Sequence, residues 1–589
     1  MEKILNEYKR WTLKKDMPGE LLSELLAMND DEKLIEDAFY RELEFGTSGL
    51  RGIMGPGTNR MNQYIVAKVS TGFSNYMNKT LKDQPKVVIS YDSRHNSELF
   101  ARISGEIFSA MGIKVYIFDK MLPVSILSYA IRLLKCDFGV MITASHNSKE
   151  YNGYKVYDNI GCQILTDVAE GILKEIEQLD VFDDVPKGTS DNIIWLDDTI
   201  KDKFVEETLA CSIRCNKEFE DRDKAILEIA NLKICYSPLN GTGRIPVMET
   251  LKGMGVKELY VVKQQEMRDG NFTTCPKPNP ERKDVYELGQ KLMEETKSDI
   301  LILTDPDCDR IGVATPEGIL SGNDLAVLLF DYICRNKKPL VRKPVAIRSI
   351  VSTPLVDAIA EDHGVSMEYT LIGFKYIGQK MEKLGSRFIF GFEEGNGYQA
   401  FGHMRDKDGI STAMLVCEMA GEYKAKGITL QKALKNIYKK YGYYEEKVVN
   451  YRFSGKEGLR QREAIMKYLR EDIENSIKIY GIKSVKDYKY QKNIIYDLGI
   501  GSFTEFPIAN ILEYSLGKSQ KFIVRPSGTE PSLKAYFFAK SRYHFRTKMK
   551  LENMMEKIDE IINRDYSDVS NVEDEDPTND ATKYKNSKN

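Results

Sequence analysis

Short apolar segments recur along the chain, and amphipathic stretches separate several of them. The segments predicted to be buried strands are residues 87–90, 138–142, 232–236, 299–304, 345–351, 387–392 and 521–525. Helical spacing of apolar residues predicts helices such as residues 323–334 and 411–424. Alternation of this kind favours α/β domains with largely parallel or mixed sheets.

The loop TASHN at residues 143–147 directly follows one predicted strand. Because ligands of such sheets bind at the carboxyl ends of strands, Ser145 is placed to hold its hydroxyl group in a cleft. Serine and asparagine are also ordinary turn residues, so a structural turn is the alternative. A Ser–His–Asp hydrolase is disfavoured, because His146 is adjacent in sequence and no G-x-S-x-G elbow surrounds the serine.

The loop DPDCDR at residues 305–310 follows the strand predicted at 299–304. Its carboxylates, Asp305, Asp307 and Asp309, occupy alternate positions, and an extended turn would project them toward one side. Hard oxygen ligands in this number suit Mg²⁺, which could also accept a phosphate oxygen. An acidic surface turn is the alternative.

Two further loops carry polar groups suited to binding hydroxyl groups and an anion. GFEEGNGY at residues 391–398 offers adjacent carboxylates, Glu393 and Glu394, that can accept hydrogen bonds from a polyol. RPSGTEPSLKAYF at residues 525–537 offers arginine, lysine, hydroxyl groups and a glycine turn, which together suit a phosphate that is not transferred. An exposed hairpin turn is the alternative for the first of these loops, and a Gly-Thr turn between strands is the alternative for the second.

Composition narrows the class of protein. The 589 residues exceed one ordinary domain, and Lys+Arg 85 against Asp+Glu 88 gives a net charge of -3. This balance provides no electrostatic case for nucleic acid or an anionic membrane, and no apolar run is long enough for a transmembrane helix. The N-terminus lacks the apolar core of a signal peptide, and nine scattered cysteines fit free thiols in a reducing cytoplasm.

Taken together, the loops describe phosphoryl transfer, which needs positioning and charge neutralisation more than covalent activation. On these motifs, and on EFGTSGLRG near residue 45, the sequence resembles the α-D-phosphohexomutase family, in particular its long phosphoglucomutases and phosphopentomutases. The resemblance implies an α/β fold with three mixed α/β sheet domains and a smaller C-terminal α+β domain around a central cleft. The expected domains are residues 1–228 with an N-terminal helical extension, 229–337, 338–442 and 443–566, followed by a disordered tail at 567–589.

The resemblance also implies roles for individual residues. Ser145 would be the phosphoserine, and Asp305, Asp307 and Asp309 would bind Mg²⁺ with the Ser145 phosphate as a further ligand. Arg51 and Arg310 would neutralise the transferring group, while His146, Lys155 and Lys407 would transfer protons or orient the reacting hydroxyl. Residues expected to contact the substrate are Glu393, Gly395, Asn396, Gly373 and Phe374 for the sugar, and Arg525, Ser527, Gly528, Thr529 and Lys534 for the distal phosphate.

The implied activity interconverts a sugar 1-phosphate and a sugar 6-phosphate through a sugar bisphosphate. Glucose is the first expectation, but glucose-handling relatives usually carry a serine where this chain has Gly395. A phosphopentomutase and a glucose 1,6-bisphosphate synthase therefore stay open. An inactive sugar-phosphate sensor and a metal-dependent phosphatase are rival classes, and the expected form is a cytoplasmic monomer or weak homodimer.

Overall fold

A computed structural model describes residues 1–46, 49–216, 219–336, 343–453, 455–471, 481–495, 499–503, 506–527 and 532–564. The chain divides into two compact units. The first contains residues 1–352 and 356–435, and the second contains residues 353–355 and 436–589. The predicted tail at 567–589 lies outside the described residues.

The first sheet of the larger unit has the order β1-β2-β6-β5-β3-β4-β7. Its central strands β5, β3, β4 and β7 run parallel, whereas β6, β2 and β1 extend the sheet in antiparallel fashion. The strands are β1 (Phe45–Gly46), β2 (Gly49–Ile53), β3 (Lys86–Tyr91), β4 (Lys114–Phe118), β5 (Phe138–Ile142), β6 (Tyr151–Asp158) and β7 (Ile193–Leu196). The associated helices are α1 (Glu2–Thr12), α2 (Gly19–Ala27), α3 (Glu32–Phe39), α4 (Gln63–Thr80), α5 (Ser97–Ala110), α6 (Val124–Leu134), α7 (Thr166–Ile176), α8 (Thr199–Ala210) and α9 (Arg222–Ala230).

The helices that precede the first sheet pack on it through an aromatic cluster. Trp11 is fully buried, and its ring contacts Phe39, Tyr64 and Phe182 at centroid separations between 5.1 and 5.7 Å. Large buried aromatic side chains contribute much of the energy of such contacts. The N-terminal helices are therefore part of the hydrophobic core of this sheet.

The second sheet has the order β12-β11-β10-β8-β9, with β10, β8 and β9 parallel and β11 and β12 antiparallel. Its strands are β8 (Lys233–Ser237), β9 (Glu258–Val261), β10 (Ile300–Thr304), β11 (Ile311–Thr315) and β12 (Gly318–Leu320). The helices around it are α10 (Arg244–Gly253), α11 (Lys263–Glu266), α12 (Glu287–Thr296) and α13 (Gly322–Asn336), with a short 3₁₀ turn at Asp284–Tyr286.

The third sheet has the order β14-β13-β15-β16, parallel except for the β15–β16 pair. Its strands are β13 (Val345–Ser349), β14 (Ser366–Thr370), β15 (Phe388–Glu393) and β16 (Gly397–Gln399). The helices are α14 (Leu355–Asp362), α15 (Phe374–Leu384), α16 (Gly409–Ala425) and α17 (Leu430–Tyr441), with a 3₁₀ turn at Gly385–Arg387.

The smaller unit is built on an antiparallel sheet of order β17-β23-β22-β21-β18-β19-β20. Its strands are β17 (Tyr443–Arg452), β18 (Ser484–Asp487), β19 (Lys492–Ile495), β20 (Gly499–Ser502), β21 (Leu512–Ser515), β22 (Gln520–Pro526) and β23 (Ser532–Ser541). Helices α18 (Gly455–Glu471) and α19 (His544–Ile562) complete the unit, and apolar side chains from both pack with the sheet in one core.

The predicted fold class is confirmed: three mixed α/β sheets are followed by a smaller α+β unit. Each predicted strand is present with its ends at most two residues from those predicted, and the strand expected at 345–351 ends at Ser349. The predicted domain boundaries stay predictions. Within the described part of the chain, none of the helices has the length and apolar character needed to cross a bilayer.

Candidate active site

Ser145 lies in the turn that follows β5, and it is held in an uncommon backbone conformation. Its φ of 52° places it in the left-handed region, which non-glycine residues rarely adopt. The Ser145 N–H donates to Thr143 Oγ1 at 2.7 Å. The hydroxyl oxygen lies 3.0 Å from Asp305 Oδ2 and 3.2 Å from His146 Nδ1. The turn therefore brings the serine hydroxyl to the predicted metal loop.

The metal loop follows β10 as a tight turn, so the prediction of an extended turn is wrong. The Cys308 N–H donates to the Asp305 carbonyl at 2.9 Å, and Cys308 has a φ of 56°. This turn makes the carboxylates of Asp305, Asp307 and Asp309 converge, because a left-handed residue reverses the chain between them. Each of the three is buried.

The three carboxylates fit a divalent cation such as Mg²⁺. Each offers an oxygen atom, and these atoms all lie within 4.8 Å of one another. Oδ1 of Asp307 and Oδ1 of Asp309 are buried and accept no hydrogen bond from any described residue. Buried carboxylate oxygens that lack donors are costly unless a cation satisfies them, and oxygen ligands are those that Mg²⁺ prefers.

Two lysines place ammonium groups against this cluster. Lys155 Nζ, from β6, lies 2.7 Å from Asp307 Oδ2 and 3.8 Å from Asp309 Oδ2. Lys407 Nζ lies 3.1 Å from Asp309 Oδ2 and 3.5 Å from Asp406 Oδ1. Burial alone would lower the pKa of Lys407, but the carboxylates of Asp309 and Asp406 outweigh burial and raise it. Lys407 is therefore a cation at neutral pH.

The predicted arginines lie at the same place. Arg51 Nη1, from β2, donates to the Asn147 side-chain oxygen at 3.1 Å, so it is attached to the serine loop. Arg310 Nη1 donates to Glu281 Oε1 at 2.6 Å. Burial, together with the cations of Arg310 and Arg51, holds the pKa of His146 well below its usual value. The His146 imidazole is therefore neutral beside the serine hydroxyl.

The predicted sugar loop lies at the end of β15, where Glu393 is the last residue of the strand. Glu393 Oε1 accepts a hydrogen bond from the Gly373 N–H at 2.6 Å. Gly373 has a φ of 122° and precedes α15, whose first residue is Phe374. The Phe374 ring lies 5.4 Å from Lys407 Nζ, so the two predicted sugar segments and the lysine are neighbours.

Gly395 and Asn396 differ in what they can offer a substrate. A Cβ atom on residue 395 would lie 3.1 Å from Glu281 Oε1 and 3.5 Å from Arg310 Nη1. The Asn396 side chain is buried, and its amide nitrogen donates to the Ile311 carbonyl at 3.0 Å. Since the Ile311 N–H donates back to the Asn396 carbonyl, also at 3.0 Å, Asn396 connects the sugar loop to the strand after the metal loop.

The predicted phosphate loop belongs to the smaller unit and is a hairpin between β22 and β23. Arg525 and Lys534 are paired across this hairpin, and the Ser527 N–H donates to the Ser532 carbonyl at 2.9 Å. Arg462 Nη1, from α18, donates to the Ser527 carbonyl at 2.6 Å. The predicted residues Gly528 and Thr529 lie outside the described residues.

Three residues near these loops were not predicted: Arg94, Glu281 and Arg462. Arg94 follows β3, so the rule that placed Ser145 and Asp305 at strand ends also applied to the segment YDSRHN at 91–96. Glu281 comes from an irregular loop and Arg462 from a helix. Only the fold brings these two side chains to their loops.

Glu394 makes the stability of the site depend on pH. Burial and the neighbouring Glu393 carboxylate raise the pKa of Glu394 to about 7, and its Oε2 accepts a hydrogen bond from Ser349 Oγ at 3.2 Å. A glutamate in the unfolded chain titrates at about 4.3. Between these values the folded chain binds the additional proton, so this group's contribution to stability is lost as the pH rises through that window.

We expect Glu394→Gln to remove this loss of folding stability at higher pH. The melting temperature of the variant, relative to that of the unchanged protein, should be higher at about pH 8 than at about pH 5.5. Thermal unfolding followed at both pH values measures the difference. A difference that does not change with pH would contradict the assignment of a raised pKa to Glu394.

Comparisons with known proteins agree with this arrangement. The family models of the phosphoglucomutase/phosphomannomutase α/β/α domains I, II and III match residues 42–181, 214–318 and 321–441, respectively. A phosphoglucomutase of Staphylococcus haemolyticus is 33% identical over 517 residues, which is 85% of this chain and 91% of the relative. One from Staphylococcus aureus is 32% identical over 85% of this chain and 90% of its own length.

Solved structures show the same fold at lower identity. Parafusin, a phosphoglucomutase of Paramecium, aligns with a TM-score of 0.67 and 16% identity over 89% of this chain and 95% of its own. A phosphoglucomutase/phosphomannomutase family protein of Burkholderia thailandensis aligns with a TM-score of 0.63 and 17% identity, covering 88% and 96%.

The fold and these matches define the chain as a phosphosugar mutase, an isomerase that moves a phosphoryl group within its substrate. Its buried aspartate cluster fits the divalent cation that such a reaction uses. The chain belongs to the phosphoglucomutase/phosphomannomutase family, the α-D-phosphohexomutases.

Proposed function

We propose that this enzyme interconverts α-D-glucose 1-phosphate and glucose 6-phosphate, with Ser145 as the phosphoryl carrier and a glucose bisphosphate as the intermediate. The observation that carries the proposal is the position of the Ser145 hydroxyl, 3.0 Å from Asp305 in the buried aspartate cluster. The relatives named phosphoglucomutase support glucose as the sugar.

The residues around Ser145 suit transfer in both directions. In the first half-reaction the bond between phosphorus and Ser145 Oγ breaks, and a bond forms between phosphorus and the free sugar hydroxyl. That hydroxyl loses its proton, and Ser145 Oγ ends protonated. In the second half-reaction the bond between the other phosphorus atom of the bisphosphate and its sugar oxygen breaks, and a bond forms between that phosphorus atom and Ser145 Oγ. The serine hydroxyl loses its proton, and the sugar oxygen ends protonated.

We assign the proton transfer to His146, because its Nδ1 lies 3.2 Å from Ser145 Oγ and can relay a proton to or from the serine oxygen. Lys155, Lys407, Arg51 and Arg310 hold positive charge around the transferring group. A bound Mg²⁺, held by Asp305, Asp307 and Asp309, would supply further charge neutralisation.

The second phosphate of the substrate needs its own site. We assign it to the hairpin of the smaller unit, where Arg525, Ser527 and Lys534 supply cationic and hydroxyl donors, with Gly528 and Thr529 from the predicted motif. Glu393 is assigned to the sugar hydroxyls, with Gly373 fixing its carboxylate. A substrate with a phosphate at one end and a hydroxyl group at the other explains why both sites are needed.

A pentose phosphate is the second candidate substrate, and Gly395 is the observation that favours it. Glycine supplies no hydroxyl group at the position where glucose-handling relatives usually carry serine, and Glu281 and Arg310 line the space beside it. A missing hydrogen bond of this kind is worth about 0.5–1.5 kcal/mol. That loss weakens a preference for glucose without abolishing it.

The substrate is tested by measuring kcat/KM for glucose 1-phosphate and ribose 1-phosphate under the same conditions, each with its own bisphosphate as activator. We expect glucose 1-phosphate to be preferred by at least about tenfold. Gly395→Ser should raise kcat/KM for glucose 1-phosphate by about two- to tenfold. Gly395→Ala, which adds the Cβ without the hydroxyl, is the matched control and should not raise it.

A preference for ribose 1-phosphate would replace glucose by a pentose and leave the transfer mechanism in place. Release of inorganic phosphate without an isomerised sugar would overturn the mutase itself. We further propose that the enzyme works in the cytoplasm as a monomer or weak homodimer; its nine cysteines, all free thiols, fit a reducing compartment.

A further inference from the structure

Arg94 lies beneath the Ser145 turn and hydrogen-bonds its backbone. Its side chain is fully buried. Nη2 donates to the carbonyl groups of Ser145 and Asn147, each at 2.5 Å, and Nη1 donates to those of Ser148 at 2.7 Å and Tyr151 at 3.2 Å. One guanidinium group therefore bonds with most of the serine loop and with the start of β6.

Asp92 fixes this guanidinium from the other side. Its Oδ2 accepts hydrogen bonds from Arg94 Nε at 3.1 Å and from Thr143 Oγ1 at 2.7 Å. Thr143 Oγ1 in turn accepts the Ser145 N–H. The chain of contacts from Asp92 through Arg94 and Thr143 thus holds the backbone of Ser145 on both sides, at its N–H and at its carbonyl oxygen.

The conformation held in this way is strained. A non-glycine residue with a φ of 52° costs free energy unless its surroundings impose the conformation, and strain of this kind concentrates at functional sites. Relaxation of the turn to negative φ would rotate the Ser145 side chain away from Asp305. A misplacement of about 1 Å in a reacting group can reduce a rate by about 100-fold.

We infer that Arg94 is a positioning residue for phosphoryl transfer, holding the turn that aims the Ser145 hydroxyl at the aspartate cluster. Lysine cannot replace it, because an ammonium group has no planar fork with which to hydrogen-bond several carbonyl groups together. This inference rests on the proposed role of Ser145, and it adds a residue following β3 that acts on the serine through backbone contacts alone.

The test compares Arg94→Lys with the unchanged enzyme in three measurements: phosphorylation of Ser145 by glucose 1,6-bisphosphate in a single turnover, steady-state kcat and KM, and the Mg²⁺ concentration for half-maximal activity. We expect the phosphorylation rate and kcat to fall by about 100-fold. KM and the Mg²⁺ requirement should change by less than about threefold, because lysine keeps the positive charge. The described hydrogen bonds of the Arg94 side chain go to Asp92 and to backbone carbonyl groups, not to the aspartate cluster or the proposed sugar loop.

Thr143→Val decides the question if Arg94→Lys does not fold, since it keeps the side-chain shape and removes the hydroxyl group between Asp92 and the Ser145 N–H. It should slow phosphorylation, and Thr143→Ser should restore the rate. A normal phosphorylation rate in the folded variant would overturn the inference. A variant in which kcat, the affinity for Mg²⁺ and the melting temperature all fall together would also overturn the inference, because that pattern indicates a merely structural role. Failure of the unchanged enzyme to phosphorylate Ser145 would overturn the proposed function instead.

Discussion

Ser145→Ala is expected to abolish mutase turnover, lowering kcat by at least about 10³-fold. Alanine removes the oxygen atom that would carry the phosphoryl group, and no other hydroxyl within the described residues is bonded to Asp305. The backbone contacts of the turn come from the Ser145 N–H and carbonyl, which alanine keeps. The fold should therefore persist, with a far-ultraviolet circular dichroism spectrum and a melting temperature close to the original.

Ser148→Ala is the matched control in the same loop. Its contact with Arg94 uses the backbone carbonyl, and its side chain bonds Glu150, so most of the turnover should remain. Near-normal turnover in Ser145→Ala, measured as conversion of glucose 1-phosphate to glucose 6-phosphate, would contradict the assignment of Ser145. Equal losses in both variants would indicate that the loop, and not the hydroxyl of Ser145, is what matters.

Asp307→Asn should remove Mg²⁺-dependent activity, with affinity for the metal and kcat each reduced by at least about 100-fold. The substitution keeps the shape of the side chain but removes one of three carboxylates in the cluster. It also leaves Lys155 Nζ without its carboxylate partner at 2.7 Å, so positive charge would then repel the metal. Titration of activity with Mg²⁺ after chelation measures the effect.

Asp198→Asn is a suitable control, because Asp198 also pairs with a lysine, Lys120 at 2.9 Å, but at the surface. Exposed ion pairs contribute little to stability, so the Mg²⁺ dependence of the Asp198→Asn variant should match that of the unchanged enzyme. Asp307→Asn with an unchanged Mg²⁺ requirement would show that the cluster is not the metal site.

The sequence predicted β3, β5, β8, β10, β13, β15 and β22 and the chemical loops at four of their ends, because both depend on local properties. Buried parallel strands are continuous apolar runs, and the chemistry of an α/β fold lies directly after them. Ser145 and the three aspartates follow such strands, and Glu393 is the last residue of β15. This rule needs no knowledge of tertiary structure, so one sequence was enough to apply it.

The site residues that the sequence did not predict depend on contacts between distant segments of the chain. Glu281 reaches Arg310 from an irregular loop, and Arg462 reaches the Ser527 carbonyl from a helix, so neither has a local signal. The aspartate loop was expected to be extended because its residues alternate, but Cys308 reverses the chain. The smaller unit has an antiparallel sheet whose strands mostly carry weak patterns, and only β22 was predicted there.

Phosphorylation of Ser145 is the most direct measurement of the central claim. The full chain is exposed to glucose 1,6-bisphosphate carrying a radiolabelled phosphoryl group, digested, and mapped by mass spectrometry, with and without subsequent glucose 6-phosphate. We expect the label on the peptide containing Ser145, transferred to the sugar when glucose 6-phosphate is added. Label on another residue, or a phosphorylated Ser145 that does not return its phosphoryl group to the sugar, would contradict the proposed mechanism.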